Sequence, residues 1–405
     1  ETLCMLAGLV ARQDRVEEAI SYYDQTLKKC PDYFEALAGL GHLYLTHNQP
    51  RQAADLLLKA CIVRPTDQPV VDLDGESVLI TGGTGGFGRA FVERVCRDYR
   101  PERLIVFSRD ELKQFEMAHE LGDRFPFVKF AIGDVRDADR VEEVSKGVDV
   151  IIHAAALKHV PIAERNPAEC LRTNVDGAIN IARAAIRNRV SRVCSISTDK
   201  AVNPVNVYGA SKLAAEKVVS AAALDAGRDG PLFCSVRYGN VVGSRGSVIP
   251  FFERLIAEGA DELPITDPRM TRFWITMPQA VNFTLSSLQM TYGGEVFVPK
   301  IPTMSMLDIA RTLAPDLGAR LIGIRPGEKL HEVLISGDDV QNTIELNDRF
   351  ALLSPEHIDS RLRHMANGAH PVAEDFVYAS NHNPEVIRAP ASASMQPVKP
   401  RIVSA

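Results

Sequence analysis

Between Ser195 and Lys212 the sequence reads SISTDKAVNPVNVYGASK. A hydroxyl (Thr198), an acid (Asp199) and an amine (Lys200) stand in a row, followed by a phenol at Tyr208 and a second amine at Lys212. YGASK is helix-compatible, and positions i and i+4 put Tyr208 and Lys212 on one face, a turn apart. A lysine ammonium there is expected to lower the phenol's pKa, so that it trades a proton with an alcohol or sugar hydroxyl near neutral pH. Tyr and Lys at that spacing also describe many solvated helix faces. What makes this pair specific is the apolar VCSIS ahead of it, which runs into TDK as a strand end delivering polar residues to a site.

A strand end needs a sheet behind it. Upstream, SVLI runs into TGGTGGFG, with Gly82, Gly85 and Gly88 three apart, and then into the helical RAFVERVCRDY. Strand, glycine turn and helix lay a dinucleotide pyrophosphate on a helix N-terminus, and Thr84, Gly86 and Phe87 belong to the same turn. The next strand, RLIVF, ends in Ser108, Arg109 and Asp110. An acid there takes the 2′-hydroxyl of NAD, whereas a hydroxyl and a guanidinium suit the 2′-phosphate of NADP, which is the expected cofactor. FVKFAIGDVRD ends in Asp134 and Val135, expected beside the adenine; a plain turn aspartate fits the spacing nearly as well. DVIIHAAALKH supplies Ala154 and Ala155 for close passage of the cofactor and Lys158 at the mouth. Thr173, Asn174 and Val241 complete the expected cofactor site. Strands and helices alternate throughout, which predicts a doubly wound parallel sheet.

Beyond Leu232, FCSVRYGNVVGSRGSVIPFF is a strand followed by a glycine-rich polar loop, and Asn240, Arg245, Ser247 and Val248 are expected to meet a substrate. MTRFWIT and GIRPGEKLHE add Arg272, Arg325 and Glu328. Arginines in glycine- and proline-marked turns suit a diphosphate clamp. His153, His159 and His331 lack metal-ligand spacing and are read as structural, so no metal is expected.

A chain of 405 residues suggests two or three domains. A formal charge of −6 argues against a general nucleic-acid or anionic-membrane surface. No apolar run approaches the roughly 18 residues of a membrane span. Seven scattered cysteines without a CxxC read as buried thiols of a reducing cytoplasm.

Residues 1–67 repeat with a period of 34: Leu6 matches Leu40, Ala7 Gly41, Val10 Tyr44, Ala19 Ala53, Tyr23 Leu57 and Pro31 Pro65. This resembles the tetratricopeptide repeat, whose units need about three neighbours to close a core. The chain begins at Glu1 rather than Met, which leaves room for further repeats upstream. The repeats are expected to bind a protein partner. Residues 68–75 read as a linker and 381–405 as a loosely ordered tail.

The motifs TGGTGGFG, FSRDELKQ, AALKHVPIAERNP, STDKAVNPVNVYGASK, VRYGNVVGSRGSVIPFF, MTRFWIT and GIRPGEKLHE resemble the extended short-chain dehydrogenase/reductases. Within them, residues 76–380 resemble the inverting UDP-N-acetylglucosamine 4,6-dehydratases of pseudaminic acid biosynthesis. The resemblance implies an α/β fold: a Rossmann-type doubly wound sheet with a smaller substrate-binding part, mainly 237–350, preceded by the all-α repeats. It also implies that Tyr208 takes the O4 proton with Thr198 on the same oxygen, and that Lys212 holds the cofactor ribose. Lys200 would remove the C5 proton, and Asp199 would protonate the departing 6-hydroxyl. Lys200 must then be a free amine, and a lysine of ordinary pKa, about 10.4, needs burial or a nearby cation to become one. UDP-N-acetylglucosamine is the expected substrate and a homo-oligomer the expected assembly. A 4-epimerase has no use for the acid–amine pair, the retaining dehydratases often carry Met where Tyr208 stands, and a scaffold with a dead domain would not keep every position filled.

Overall fold

From Ser77 onward, short β-branched runs alternate with helices, and the central runs are apolar on both of their faces. A computed structural model describes residues 2–11, 15–31, 33–47, 49, 52–53, 56, 59, 71–244 and 247–388. The runs become strands β1 (Ser77–Thr81), β2 (Arg103–Ser108), β3 (Val128–Ile132), β4 (Val150–His153), β5 (Arg192–Ile196) and β6 (Leu232–Val236). They lie parallel in the order β3-β2-β1-β4-β5-β6, and strand Glu295–Pro299 continues the parallel set beside β6. Both faces are covered. Val78 and Ile80 of β1 pack into one apolar core, and Leu79 between them packs into the other. Every residue of β1 is buried, and full burial of such a side chain is worth about 1.5–3 kcal/mol.

The sheet is longer than the alternating pattern predicts. Arg349–Leu352, Thr343–Glu345 and His370–Pro371 extend it to ten strands with antiparallel partners. TIELNDRFAL is two apolar runs about a polar turn, which makes a hairpin rather than another β–α unit.

A smaller core lies beneath the sheet Asn240–Val241, Thr271–Ile275, Thr303–Ser305 and Val386–Ile387, and holds Phe252, Ile265, Met270, Trp274 and Ile309. Two expectations change here. Thr271–Ile275 is a buried strand rather than a turn. The region expected to be loose from 381 is ordered as far as Arg388, because Val386–Ile387 pairs in parallel with Thr303–Met304. Residues 389–405, and 68–70 of the expected linker, lie outside the described residues.

The N-terminal segment forms helices α1 (Thr2–Ala11), α2 (Val16–Lys29) and α3 (Phe34–Thr46). Ala7, Val10, Ala19, Tyr23, Ala36 and Leu40 share their core, and the Tyr23 ring fills the space over Gly39. The matching positions Leu57 and Pro65 fall outside the described residues.

Candidate active site

In a parallel sheet every strand delivers its next residues to the same edge, and ligands bind where the strand order reverses. Here that edge opens onto a cavity of about 730 Å³. Strand β1 gives way to the glycine turn, which is followed by helix α4 (Gly86–Asp98). Gly85 caps α4 without a side-chain hydrogen bond, so the first amides of the helix are left to the cavity edge. The turn sits close on its own helix: a Cβ on Gly88 would lie 2.5 Å from the Gly82 carbonyl oxygen.

Of the residues singled out in the sequence, the cavity is lined by Gly82, Thr84, Gly85, Gly86, Phe87, Gly88, Ser108, Arg109, Asp110, Asp134, Val135, Ala154, Ala155, Lys158 and Thr173. Thr198, Lys200, Tyr208, Lys212, Asn240, Val241, Ser247 and Val248 line it from the other side. Asp110 caps the following helix by accepting from the Lys113 amide at 3.0 Å and pairs with the Lys113 ammonium, which lowers its pKa. Arg109 is 58% exposed and lies 3.7 Å from Asp134. Burial works to raise the Asp134 carboxyl, and Arg136 and Arg109 outweigh it and hold it low.

Several expected residues stand elsewhere. Asn174 is buried behind the wall, where it donates to the Leu157 carbonyl and the Ser211 hydroxyl and accepts from the Leu157 amide. Arg272 is buried in its strand and donates to the carbonyls of Thr271 (2.8 Å), Lys329 (2.9 Å) and Leu330 (3.1 Å), so it ties two segments together rather than clamping a diphosphate. Arg325 and Glu328 pair with each other at 3.8 Å, outside the cavity lining. Arg245 lies outside the described residues. His153 is buried against Thr81 at 2.8 Å, and burial drives its pKa down to about 3.

The TDK stretch forms one 3-10 turn, Asp199–Ala201, begun by Thr198. The Asp199 amide donates to the Tyr238 carbonyl at 3.1 Å, which fixes the turn to the end of β6. Asp199 is fully buried. Its Oδ1 accepts from the Thr198 hydroxyl at 2.9 Å and from Lys200 Nζ at 3.0 Å, and its Oδ2 is buried with no protein partner. Helix Val207–Ala226 brings in the phenol. Asn206 caps it and donates to the Gly327 carbonyl, and Gly209 sits so near the turn that a Cβ would lie 2.1 Å from the Lys200 carbonyl oxygen. Only glycine lets Tyr208 stand this close to Lys200.

The charges differ from expectation at both bases. Burial pushes Tyr208 up to about 12, with Lys200 and the Thr198 hydrogen bond opposing it. The Lys212 ammonium donates to the Ile196 carbonyl at 2.8 Å, and burial lowers its own pKa to about 8. Burial alone would lower Lys200, but the carboxylates of Asp199 and Glu332 outweigh it and raise its pKa. The two carboxylates therefore favour the protonated form of Lys200. Glu332, 3.6 Å from Lys200, is not picked out by sequence spacing, because the two residues stand far apart along the chain. The one signal for it is its place in GIRPGEKLHE, directly after His331.

Residues 78–353 match the polysaccharide biosynthesis protein family. The chain is 50% identical over 315 residues to the UDP-N-acetylglucosamine 4,6-dehydratase (inverting) of Campylobacter jejuni subsp. jejuni serotype O:2, covering 76% of this chain and 93% of that protein. It is 43% identical over 286 residues to a UDP-glucose 4-epimerase of Rickettsia canadensis, covering 68% and 82%. Among solved structures, Pen from Bacillus thuringiensis superposes with a TM-score of 0.70 at 36% identity, over 77% of this chain and 95% of Pen. Matched across its sheet and half identical to a relative along nearly that relative's whole length, the chain belongs to the polysaccharide biosynthesis protein family and is a homologue of the inverting UDP-N-acetylglucosamine 4,6-dehydratases.

Proposed function

We propose that this chain is an NADP-dependent nucleotide-sugar 4,6-dehydratase acting on UDP-N-acetylglucosamine with inversion at C5. Its product is then UDP-2-acetamido-2,6-dideoxy-β-L-arabino-hexos-4-ulose, a first step toward pseudaminic acid. The observation that carries the reading is the 3.0 Å contact of Lys200 with the buried Asp199, held beside Thr198 and Tyr208 on the cavity wall. An epimerase needs the phenol and the glycine turn; only a dehydration needs a second acid and a second base.

The cavity suits a dinucleotide. A Cβ on Gly82, Gly83 or Gly88 would collide with its neighbours, α4 leaves its first amides uncapped at the edge, and Ser108 and Arg109 line the cavity after β2, a pair of groups that suits a 2′-phosphate. Asp110, the acid that would have favoured NAD, is engaged by Lys113. When bound, the nicotinamide supplies the two-electron oxidation at C4 and the matching reduction at C6, and its oxidised ring brings positive charge.

Tyr208 takes the proton of the sugar O4 as a phenolate, the form that Lys200 and the Thr198 hydrogen bond favour against burial and that has already given its own proton to solvent. The ketone formed at C4 acidifies the C5 proton. Lys200 becomes a base when its own proton passes to Asp199 Oδ1 along their hydrogen bond. That single transfer leaves a neutral amine for the C5 proton and a neutral acid for the departing 6-hydroxyl. The expected depression of Lys200 by burial or a cation is replaced by this exchange. A proton from solvent then reaches C5 on the opposite face, and Lys200 keeps the proton it removed. Helices α1–α3 supply none of these groups, and we assign them to partner recruitment.

Incubation with UDP-N-acetylglucosamine should give a product lighter by one water in mass spectrometry, with C5 inverted by NMR. An isomer of unchanged mass would make the chain a 4-epimerase, and a retained C5 a retaining dehydratase. Lys200→Ala should lose C5 hydrogen exchange in heavy water while still binding substrate, a loss of about 10²–10⁴-fold in rate. Tyr208→Phe should show no reduced cofactor at all. Exchange at the parent rate in Lys200→Ala would place the base elsewhere.

A further inference from the structure

The dehydration proposed above needs Lys200 as a free amine, yet a second carboxylate without a part in that chemistry stands beside it. Glu332 is 2% exposed. Its Oε1 lies 3.6 Å from Lys200 Nζ and 3.7 Å from Arg272 Nε, and its Oε2 is buried without a protein partner. The backbone around it is fixed: the Glu332 amide donates to the Ser380 hydroxyl at 2.9 Å, and Arg272 donates to the carbonyls of Lys329 and Leu330. An unsatisfied, buried carboxylate is costly to keep unless its charge has a use.

We propose that Glu332 is a positioning residue that governs the acid–base state of the catalytic amine: fixed through Arg272, its carboxylate holds Lys200 as an ammonium aimed at Asp199 until the proton crosses to that acid. The charged groups facing Glu332 are Asp199 and Lys200 from the turn after β5, Arg272 from its strand and Lys329 from its own segment. Burial raises the Glu332 carboxyl against the pull of Lys200, Arg272 and Lys329; Lys200 itself meets Asp199, Glu332, Arg272, Lys329 and the Tyr208 phenol, and its neighbour Asn240 at 3.5 Å is uncharged. Removing the Glu332 charge takes away one of the two anions that hold the proton on Lys200. Lys200 then loses its proton to solvent at a lower pH, and the alkaline limb of turnover, above which no proton is left for Asp199 to pass to the 6-hydroxyl, moves down with it.

The inference rests on the dehydration reading, and the test separates the two. In the full-length protein, Lys200 is titrated by competitive acetylation read from its peptide by mass spectrometry, beside the pH profile of water loss from UDP-N-acetylglucosamine. Glu332→Gln should lower both the Lys200 midpoint and the alkaline limb by about 1 pH unit or more. Glu332→Asp, which keeps the charge, should bring both back toward the parent. A Glu332→Gln protein that titrates like the parent overturns the proposal. So does a parent Lys200 midpoint at or below about 10.4, the ordinary value, a measurement that needs no folded variant. A parent that titrates as expected but removes no water from the sugar would sink the dehydration reading and leave the Glu332 contact standing.

Discussion

Arg109 and Asp110 are neighbours with opposite commitments. The carboxylate of Asp110 is spent on its own helix, whereas Arg109 remains 58% exposed at the cavity rim with only a 3.7 Å contact to Asp134. A bidentate guanidinium–phosphate contact is worth about 1.5–3 kcal/mol, so Arg109→Asp should weaken NADP binding by about 10–100-fold and leave NAD binding nearly unchanged. Fluorescence titration with the two cofactors measures this; release of NAD alone from the denatured parent would reverse the assignment. At this scale, local spacing was informative. Thr198, Lys200, Tyr208 and Lys212 could be picked out because one turn and one helix hold them. Glu332 could not, nor could the true duty of Asn174, because each depends on a segment distant in sequence. Charge states were hidden for the same reason. Tyr208 rises because it is buried, and Lys200 because two carboxylates converge on it, and neither fact is present in YxxxK.

A buried ion pair ties together the elements behind the site. Arg237, just past β6, donates to both oxygens of Glu216 on helix Val207–Ala226 at 3.0 and 2.6 Å, and to the Leu334 carbonyl at 2.9 Å. Ser197, at the end of β5, donates to the same carboxylate. This pins the Tyr208 helix to the strands that carry Thr198 and Asn240. Arg237→Ala leaves a buried Glu216 charge and should cost about 3–5 kcal/mol, read as a lower urea midpoint. The double variant Glu216→Met with Arg237→Met should recover most of it; equal loss in both would mean the pair matters through packing alone. The strands and helices were legible from their apolar periods. The hairpin that lengthens the sheet and the pairing of Val386 with Thr303 were not, since short strands depend on partners supplied by the rest of the fold.

At the scale of the molecule, the three N-terminal helices stand apart from the chemistry but not from the remainder of the chain. Asp24, Leu40 and Tyr44 of α2 and α3, with Gln52 and Leu56, face Glu253, Ile256, Ala257 and Leu313 across a groove of about 490 Å³. A chain starting at Val71 should turn over UDP-N-acetylglucosamine within about twofold of the parent, because no acid–base residue is lost; steady-state kinetics on the folded truncation checks it. A large fall would give the N-terminal helices a part in shaping the site. Helix Val248–Ala257 joins these two regions: Val248 at its start lines the catalytic cavity, and Ile256 near its end lines the groove. Ten residues of helix span about 15 Å. Any ligand of the groove that displaced this helix would alter sugar affinity, and the sugar would alter the ligand's affinity by the same factor, since a coupling free energy has one value whichever end it is read from. Unchanged affinity in the truncated chain therefore fixes that factor near one for the N-terminal helices themselves, and leaves a partner's grip on the groove as the quantity that nucleotide sugar can report.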